Sequence, residues 1–200
     1  MSINRKVTDL RSALKLLELV PGQIIKTDEL VAPHAELCGV YRHIGAGGTV
    51  MRPTRIGPVM MFNHVKGYKN ARVVIGLLAS RERVGLLLDT KPTRLGFRLN
   101  EAVKSPIAPI VVGQDKALCQ EVVHYADKPG FDIRKIIPAP TNTEEDAGPY
   151  ITLGMCYASD PNNETSDITI HRLCLQSKVY VFSSRGAALG GFSKKSRRCG

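Results

Sequence analysis

The residues best placed to do chemistry lie in one stretch, 138–172, which reads PAPTNTEEDAGPYITLGMCYASDPNNETSDITIHR. It sets an acidic turn (Glu144, Glu145, Asp146), an extended run from Tyr150, a polar turn and a second extended run ending in Arg172 side by side. Two adjacent strands of this kind can bring hydroxyl, carboxylate and guanidinium groups close enough to hold a phosphate, a metal and an anionic substrate. Strand alternation puts Asp167, Thr169, His171 and Leu173 on one face and Ile168, Ile170, Arg172 and Cys174 on the other. Unpaired charge on a half-buried strand is costly. The pattern therefore means either a salt-bridged or edge strand, or a site for an anionic, metal-bound ligand, and spacing leaves both open. Asp167 and Arg172 fall on opposite faces, so a bulge, or a ligand that wraps the strand end, must reconcile them. The acidic cluster reads as a turn before a strand, not as a catalytic acid.

The elements around this stretch follow from periodicity. Residues 4–20 carry Val7, Leu10, Ala13, Leu14 and Leu17 at helical spacing, and Pro21-Gly22 ends the run. Residues 23–26 predict a short strand, 35–44 a helix, 59–65 and 71–78 strands, and 81–88 and 93–103 helices. In the last of these Leu95, Leu99, Ala102 and Val103 share a face. Gly45-Ala46-Gly47-Gly48 lacks the G-x-G-x-x-G spacing and reads as a turn or connector. Pro106 and Pro109 mark a boundary, and beyond it the texture turns to strands at 119–125, 131–137, 150–158 and 167–176. The turn composition of 159–166 predicts that the last two pair as a hairpin. Three segments result: an α/β unit over 1–108, an antiparallel β unit over 109–178 and a basic tail over 179–200.

Composition narrows the function classes. With 43% hydrophobic residues the chain can build a core. No apolar run reaches the roughly 18 residues of a membrane helix, and residues 1–10 lack a signal-peptide core. The expectation is a cytoplasmic protein with no membrane partner. The five cysteines and five histidines are scattered without zinc or redox spacing, so thiols in the core or strands are expected. Net charge is +10, but the six Lys and Arg from Lys178 onward, with no acid among them, supply +6 of it. There is no Trp and no aromatic interleaving of basic residues, so no nucleic-acid partner is expected.

Four blocks carry a resemblance: YRHIGAGGTVMRPT from Tyr41, GPVMMFNHVKGY from Gly57, LLASRERVG from Leu77, and APTNTEEDAGPYITLG through SDITIHR. They are similar to the UbiD-type decarboxylase family, above all to its branch acting on simple hydroxybenzoates such as gallate or 4-hydroxybenzoate. The resemblance covers Val7 to about Lys178. It implies an α/β N-terminal domain followed by the start of a split β-barrel flavin-binding domain, α+β overall. It implies prenylated FMN as cofactor, with Mn²⁺ and K⁺ at the flavin phosphate. The reaction is non-oxidative loss or addition of CO₂ on an aromatic acid, with a flavin prenyltransferase as cofactor supplier and homo-oligomeric assembly. By the same resemblance Thr152 lies near the cofactor, and Asp167 stands where the family most often has a metal-ligating Asn. Thr169, Ile170 and His171 lie along the flavin, and Arg172 works with two glutamates beside the reactive ring. Asp in place of Asn keeps an oxygen for a hard cation but adds a negative charge that metal or Arg must balance.

The tail departs from that pattern. Family members are much longer, and continue past the Arg-bearing strand into P-G-x-x-H-x-G, then a metal-ligating Glu and the two catalytic Glu; residues 179–200 contain no His and no acid. The peptide VYVFSSR admits codons that read S-M-Y-F-R-P one base on, closer to the family. The expectation is a frameshifted, truncated decarboxylase, inactive alone, with a disordered basic tail. Two other classes stand beside it: a non-catalytic module docking onto intact decarboxylase subunits, and a basic nucleic-acid binder.

Overall fold

A computed structural model of the chain describes residues 7–44, 57–160, 162, 165–179 and 181–182. The Gly45–Gly48 cluster falls outside them.

The first sheet runs β1 (Ile24–Val31), β2 (Val59–Val65) and β3 (Val73–Ile75), with β2 central. β1 and β2 are parallel, so the chain must cross over between them, and α2 (Glu36–Ile44) lies in that connection. β3 returns antiparallel to β2. α1 (Leu10–Glu18) precedes the sheet; α3 (Arg81–Leu87) and α4 (Leu95–Lys104) follow it. Val59 joins Ala13, Leu16, Leu17 and Leu87 in one core, whereas Met60, Phe62 and Val65 join Val31 and Leu37 in a second. A strand covered on both faces needs a continuous apolar run, and Val59-Met60-Met61-Phe62 supplies it. α1 opens with a reciprocal cap: Ser12 N donates to Asp9 Oδ1 at 2.7 Å and Asp9 N to Ser12 Oγ at 3.0 Å.

Arg83, on α3, is buried without a carboxylate partner among the described residues. Its guanidinium donates to Gly76 O at 2.6 Å, Gln23 Oε1 at 3.2 Å and Gly57 O, tying α3 to the entrance of β2 and the exit of β3. Burial lowers its pKa, and the three acceptors replace water around the charge.

Two predicted strands are corrected. Residues 131–137 form α5 (Ile133–Ile136) instead. Asp132 caps it through Arg134 N at 3.0 Å and binds the Arg134 side chain at Nε and Nη2, both at 2.9 Å, which closes the backbone into a turn. Residues 119–125 hold a 3-10 turn (Leu118–Gln120) and bends, with no ladder partner to make their β-branched residues a strand. α4 is a helix as expected, but of its shared face only Leu95 is buried; Val103 is 78% exposed.

Asp132 yields a pH prediction. Its bonds to Arg134 hold its carboxyl down at about 2. A depressed carboxylate stabilises the fold fully above the ordinary value of about 4, and that contribution disappears as pH falls toward 2. Tyr68 donates its hydroxyl to Arg134 O, so α5 is anchored to the loop before β3. Parent and Asp132→Asn chains compared by thermal midpoint are expected to differ most at pH 5 and to converge between about pH 4 and 2. A gap that widens on acidification contradicts the assignment.

The second sheet is antiparallel, β4 (Tyr150–Ser159), β5 (Ser166–Leu175) and β6 (Val181–Phe182). β6 pairs with Cys174 and Leu175, so the segment expected to be structureless from residue 179 begins with a strand. No helix among the described residues is long and apolar enough to cross a membrane.

Candidate functional site

β4 and β5 form the predicted hairpin, closed by Asp160 N donating to Thr165 O at 2.8 Å. The ladder pairs Ile151 with Leu173 and then Gly154 with His171. Two residues of β4, Thr152 and Leu153, therefore stand against one of β5, Arg172. A bulge is present, but it lies on β4 opposite Arg172 and not between Asp167 and Arg172, where the sequence reading called for one. Thr152, Leu153 and Arg172 are all exposed there. Gly154 follows the bulge for a steric reason: a Cβ would stand 2.9 Å from Leu173 Cδ1 and 3.0 Å from His171 O. Gly154→Ala is expected to cost about 1–3 kcal/mol by forcing the strands apart, checked by denaturant unfolding; an unchanged midpoint would show a looser ladder.

One face of the hairpin presents Leu153, Met155 (73% exposed), Tyr157, Ile168 and Ile170, with Arg172 at its inner end. Ile170 pairs with Met155, and Ile168 with Tyr157. The other face carries Asp167 opposite Ala158, Thr169 opposite Cys156, and His171 opposite Gly154. Thr169 and His171 are half-buried and Asp167 is exposed. The structure thus brings Thr152, Ile170 and Arg172 together and leaves Asp167, Thr169 and His171 on the reverse. A bulge on β4 cannot turn β5 over, so Asp167 and Arg172 keep their opposite faces.

The acidic turn is occupied structurally. Asp146 Oδ2 accepts from Asn142 N at 2.9 Å and Thr143 N at 3.2 Å. Cys38 Sγ donates to Asn142 Oδ1 at 2.7 Å, and burial, then the Asp146 charge, push that thiol up. Thr141 meanwhile bridges α2's entrance, accepting from Ala35 N at 2.8 Å and donating to Pro33 O at 3.1 Å. This turn docks the hairpin onto the first sheet's unit, and sequence reading found the turn but not the docking. Cys174 is a buried strand thiol as expected, but sequence reading passed over its polar contact with Gln176 at the hairpin's base.

A broad, open apolar face ending in a guanidinium suits a planar anionic ligand such as a flavin or an aryl acid. For a metal, Asp167 offers a single carboxylate, and no group of three His, Cys, Asp or Glu among the described residues could hold one.

Two family models match the chain: the 3-octaprenyl-4-hydroxybenzoate carboxy-lyase N-terminal domain over residues 19–103, and the Rift-related domain of the same enzyme over 110–188. The chain belongs to the UbiD family of decarboxylases. Its mixed helices and sheets are the UbiD N-terminal domain plus the start of the next. The chain is 48% identical over 191 residues to a gallate decarboxylase of Lactiplantibacillus plantarum, covering 94% of this chain and 39% of the relative. A 3,4-dihydroxybenzoic acid decarboxylase of Enterobacter cloacae superimposes with a TM-score of 0.88 at 54% identity, over 97% of this chain and 40% of that one. An evolved dimeric form of the UbiD-class enzyme HmfF from Pelotomaculum thermopropionicum, solved in complex with prFMN, matches with a TM-score of 0.81 at 28% identity, over 96% and 42%. The chain therefore spans about two-fifths of the length of these relatives.

Proposed function

We propose that this chain provides the N-terminal part of a non-oxidative decarboxylase of hydroxybenzoate-type aromatic acids that uses prenylated FMN. The observation that carries the reading is the bulge that sets Thr152 and Arg172 against each other at the end of an open apolar face. The identity to gallate and 3,4-dihydroxybenzoic acid decarboxylases supports an aryl acid as substrate.

Losing CO₂ from an aryl acid leaves charge on a ring carbon, and the bound prenylated flavin supplies the electron sink. The rest falls to side chains. Arg172 binds the substrate carboxylate or holds a partner glutamate ionised. Ile170, with Met155 and Leu153, gives the ring plane an apolar floor and excludes water. Thr152 offers a hydroxyl beside Arg172. Thr169 and His171, on the reverse, brace the strand along the cofactor's length. Asp167 would offer one oxygen to Mn²⁺ or K⁺, and such an ion would need further donors beyond the described residues. Residues 1–108 and 109–178 act as two domains joined through the Cys38–Asn142 and Thr141 contacts. The unpaired thiols of Cys38 and Cys174 suit a reducing cytoplasm. Flavin comes from a flavin prenyltransferase, and the assembled enzyme is a homo-oligomer.

The glutamic acid that would protonate the ring is not among the candidate residues of 7–182, so turnover is expected only when this part acts together with the remainder of a relative's length. The test is to purify it with a flavin prenyltransferase, record the flavin absorbance and assay CO₂ release from 4-hydroxybenzoate and gallate. Retained flavin without turnover is expected; loss of all flavin both from this chain and from a chimera completed with a relative's C-terminal part refutes the cofactor reading. A second reading, a non-catalytic module that docks onto intact subunits, is favoured by one observation: Phe97, Leu99 and Val103 of α4 and the large apolar residues of 105–125 lie open, Ile107 at 95% exposure. Co-purification with a full-length relative tests it.

A further inference from the structure

A series of backbone bonds runs from the entrance of α2 to the base of the hairpin. Ala35 N donates to Thr141 O at 2.8 Å and Thr141 N to Pro33 O at 3.1 Å, so Thr141 clasps the chain on both sides of His34. Tyr150 N donates to Pro140 O at 2.9 Å, and Leu175 N to Pro149 O at 2.9 Å. Cys38 Sγ adds its bond to Asn142 Oδ1. Pro33, Pro140 and Pro149 meet their partners through carbonyls, because a proline has no N–H, and their rings fix φ. A segment this stiff moves as a piece instead of fraying bond by bond.

The clasp closes on a strained residue. Ala35 has φ at 59°, in the left-handed region. A Cβ crowds the following carbonyl there, which disfavours the conformation by about tenfold, and Ala has no polar side chain to offset it. The bonds around Ala35 hold it there: Thr141 takes its N–H, and Gly39 N donates to its carbonyl at 2.8 Å. Such a conformation persists only where its surroundings enforce it. The hairpin, meanwhile, has no share in the first unit's core: neither apolar cluster there includes a residue of β4 or β5 among the described residues. A second tether, Ile133 N to Lys178 O at 3.0 Å, joins the chain after β5 to α5.

We infer that residues 139–142 are a strap, closed against backbone strain at Ala35, that releases the base of the hairpin from the first sheet's unit while that unit stays folded. Opening breaks the clasp, lets Ala35 relax and leaves the tether at Ile133 as the pivot. Thr152 lies two residues beyond Tyr150, and Arg172 three before Leu175, so the strap sets where their end of the hairpin stands. The inference goes beyond the decarboxylase reading and needs no flavin.

The test is native-state hydrogen exchange of the whole chain, followed by nuclear magnetic resonance. The amides of residue 35, Thr141, Tyr150 and Leu175 report the strap; those of Val59, bonded to Gln23 O at 2.8 Å, and Ile133 are the references. Ala35→Gly relieves the left-handed penalty, less the freedom Gly gains on opening, and is expected to raise protection of all four strap amides by about threefold. Cys38→Ala removes one bond to the strap and is expected to lower protection of the same four by about fivefold. The references stay unmoved in both. A change confined to residue 35 and Thr141 overturns the inference, because the hairpin's base then does not open with the clasp. References that shift by the same factor overturn it too, since only global unfolding is then being read. Should Cys38→Ala fail to fold, Ala35→Gly decides by itself: a shared rise supports the strap, and unchanged or lower protection overturns it. No step reads flavin, so a chain with this response that takes up no cofactor refutes the cofactor reading alone.

Discussion

Replacing Arg172 by Gln, in a chimera joining this chain to the C-terminal part of the Lactiplantibacillus plantarum gallate decarboxylase, is expected to cut CO₂ release by roughly 10²–10⁴-fold. Gln keeps hydrogen-bonding groups but removes the charge and the planar fork that matches a carboxylate. The two roles open to Arg172 separate in the kinetics. If it binds the substrate carboxylate, KM rises with kcat less affected; if it holds a glutamate ionised, kcat falls and its pH profile moves. Arg172→Lys restores charge without the fork, and so is expected to recover only part of the rate. The hairpin supplies the geometric basis, because Thr152 and Leu153 stand opposite Arg172 at the bulge and all three are exposed. A chimera that turns over equally well with Gln at this position would remove Arg172 from the site.

Phe62→Ala is expected to destabilise the first sheet's unit by about 3–5 kcal/mol, the cost of deleting a fully buried aromatic ring. Phe62 is 0% exposed at the middle of β2, packed with Val31, Leu37, Met60 and Val65. Since whole domains are stable by only about 5–15 kcal/mol, the variant should melt far below the parent in circular dichroism. Leu99→Ala on the open face of α4 is the control, expected to change stability by about 0.5 kcal/mol or less. Comparable melting of both variants would mean that β2 is not the centre of the core. The loss should also reach the hairpin, which is docked on this unit through Thr141 and Cys38 rather than through a core of its own.

Much of this architecture was legible because its signals are local. Ala13 and Leu17 at helical spacing sit in the α1 core, and the apolar run from Val59 is the central strand. Turn residues between two alternating runs gave the hairpin, and alternation gave the faces of Asp167 and Arg172 correctly. The misreadings have separate causes. Phe131 to Ile137 has strand composition, but one carboxylate, Asp132, bonded to Arg134 outweighs that weak preference and winds α5. The shared face of α4 was found by period, which reports that a face is apolar and not that anything covers it.

Amino-acid order alone determined the pairing of β4 with β5, the apolar central strand and the opposite faces of Asp167 and Arg172. Only the folded chain decided which strand carries the extra residue, that Arg83 is buried on three acceptors, and that the turn at Thr141 and Asn142 docks on the first sheet's unit. The physical reason is range. Propensity and periodicity act between residues a few positions apart, whereas register, burial of a charge and the seating of one side chain on another are set by partners brought together from distant parts of the chain.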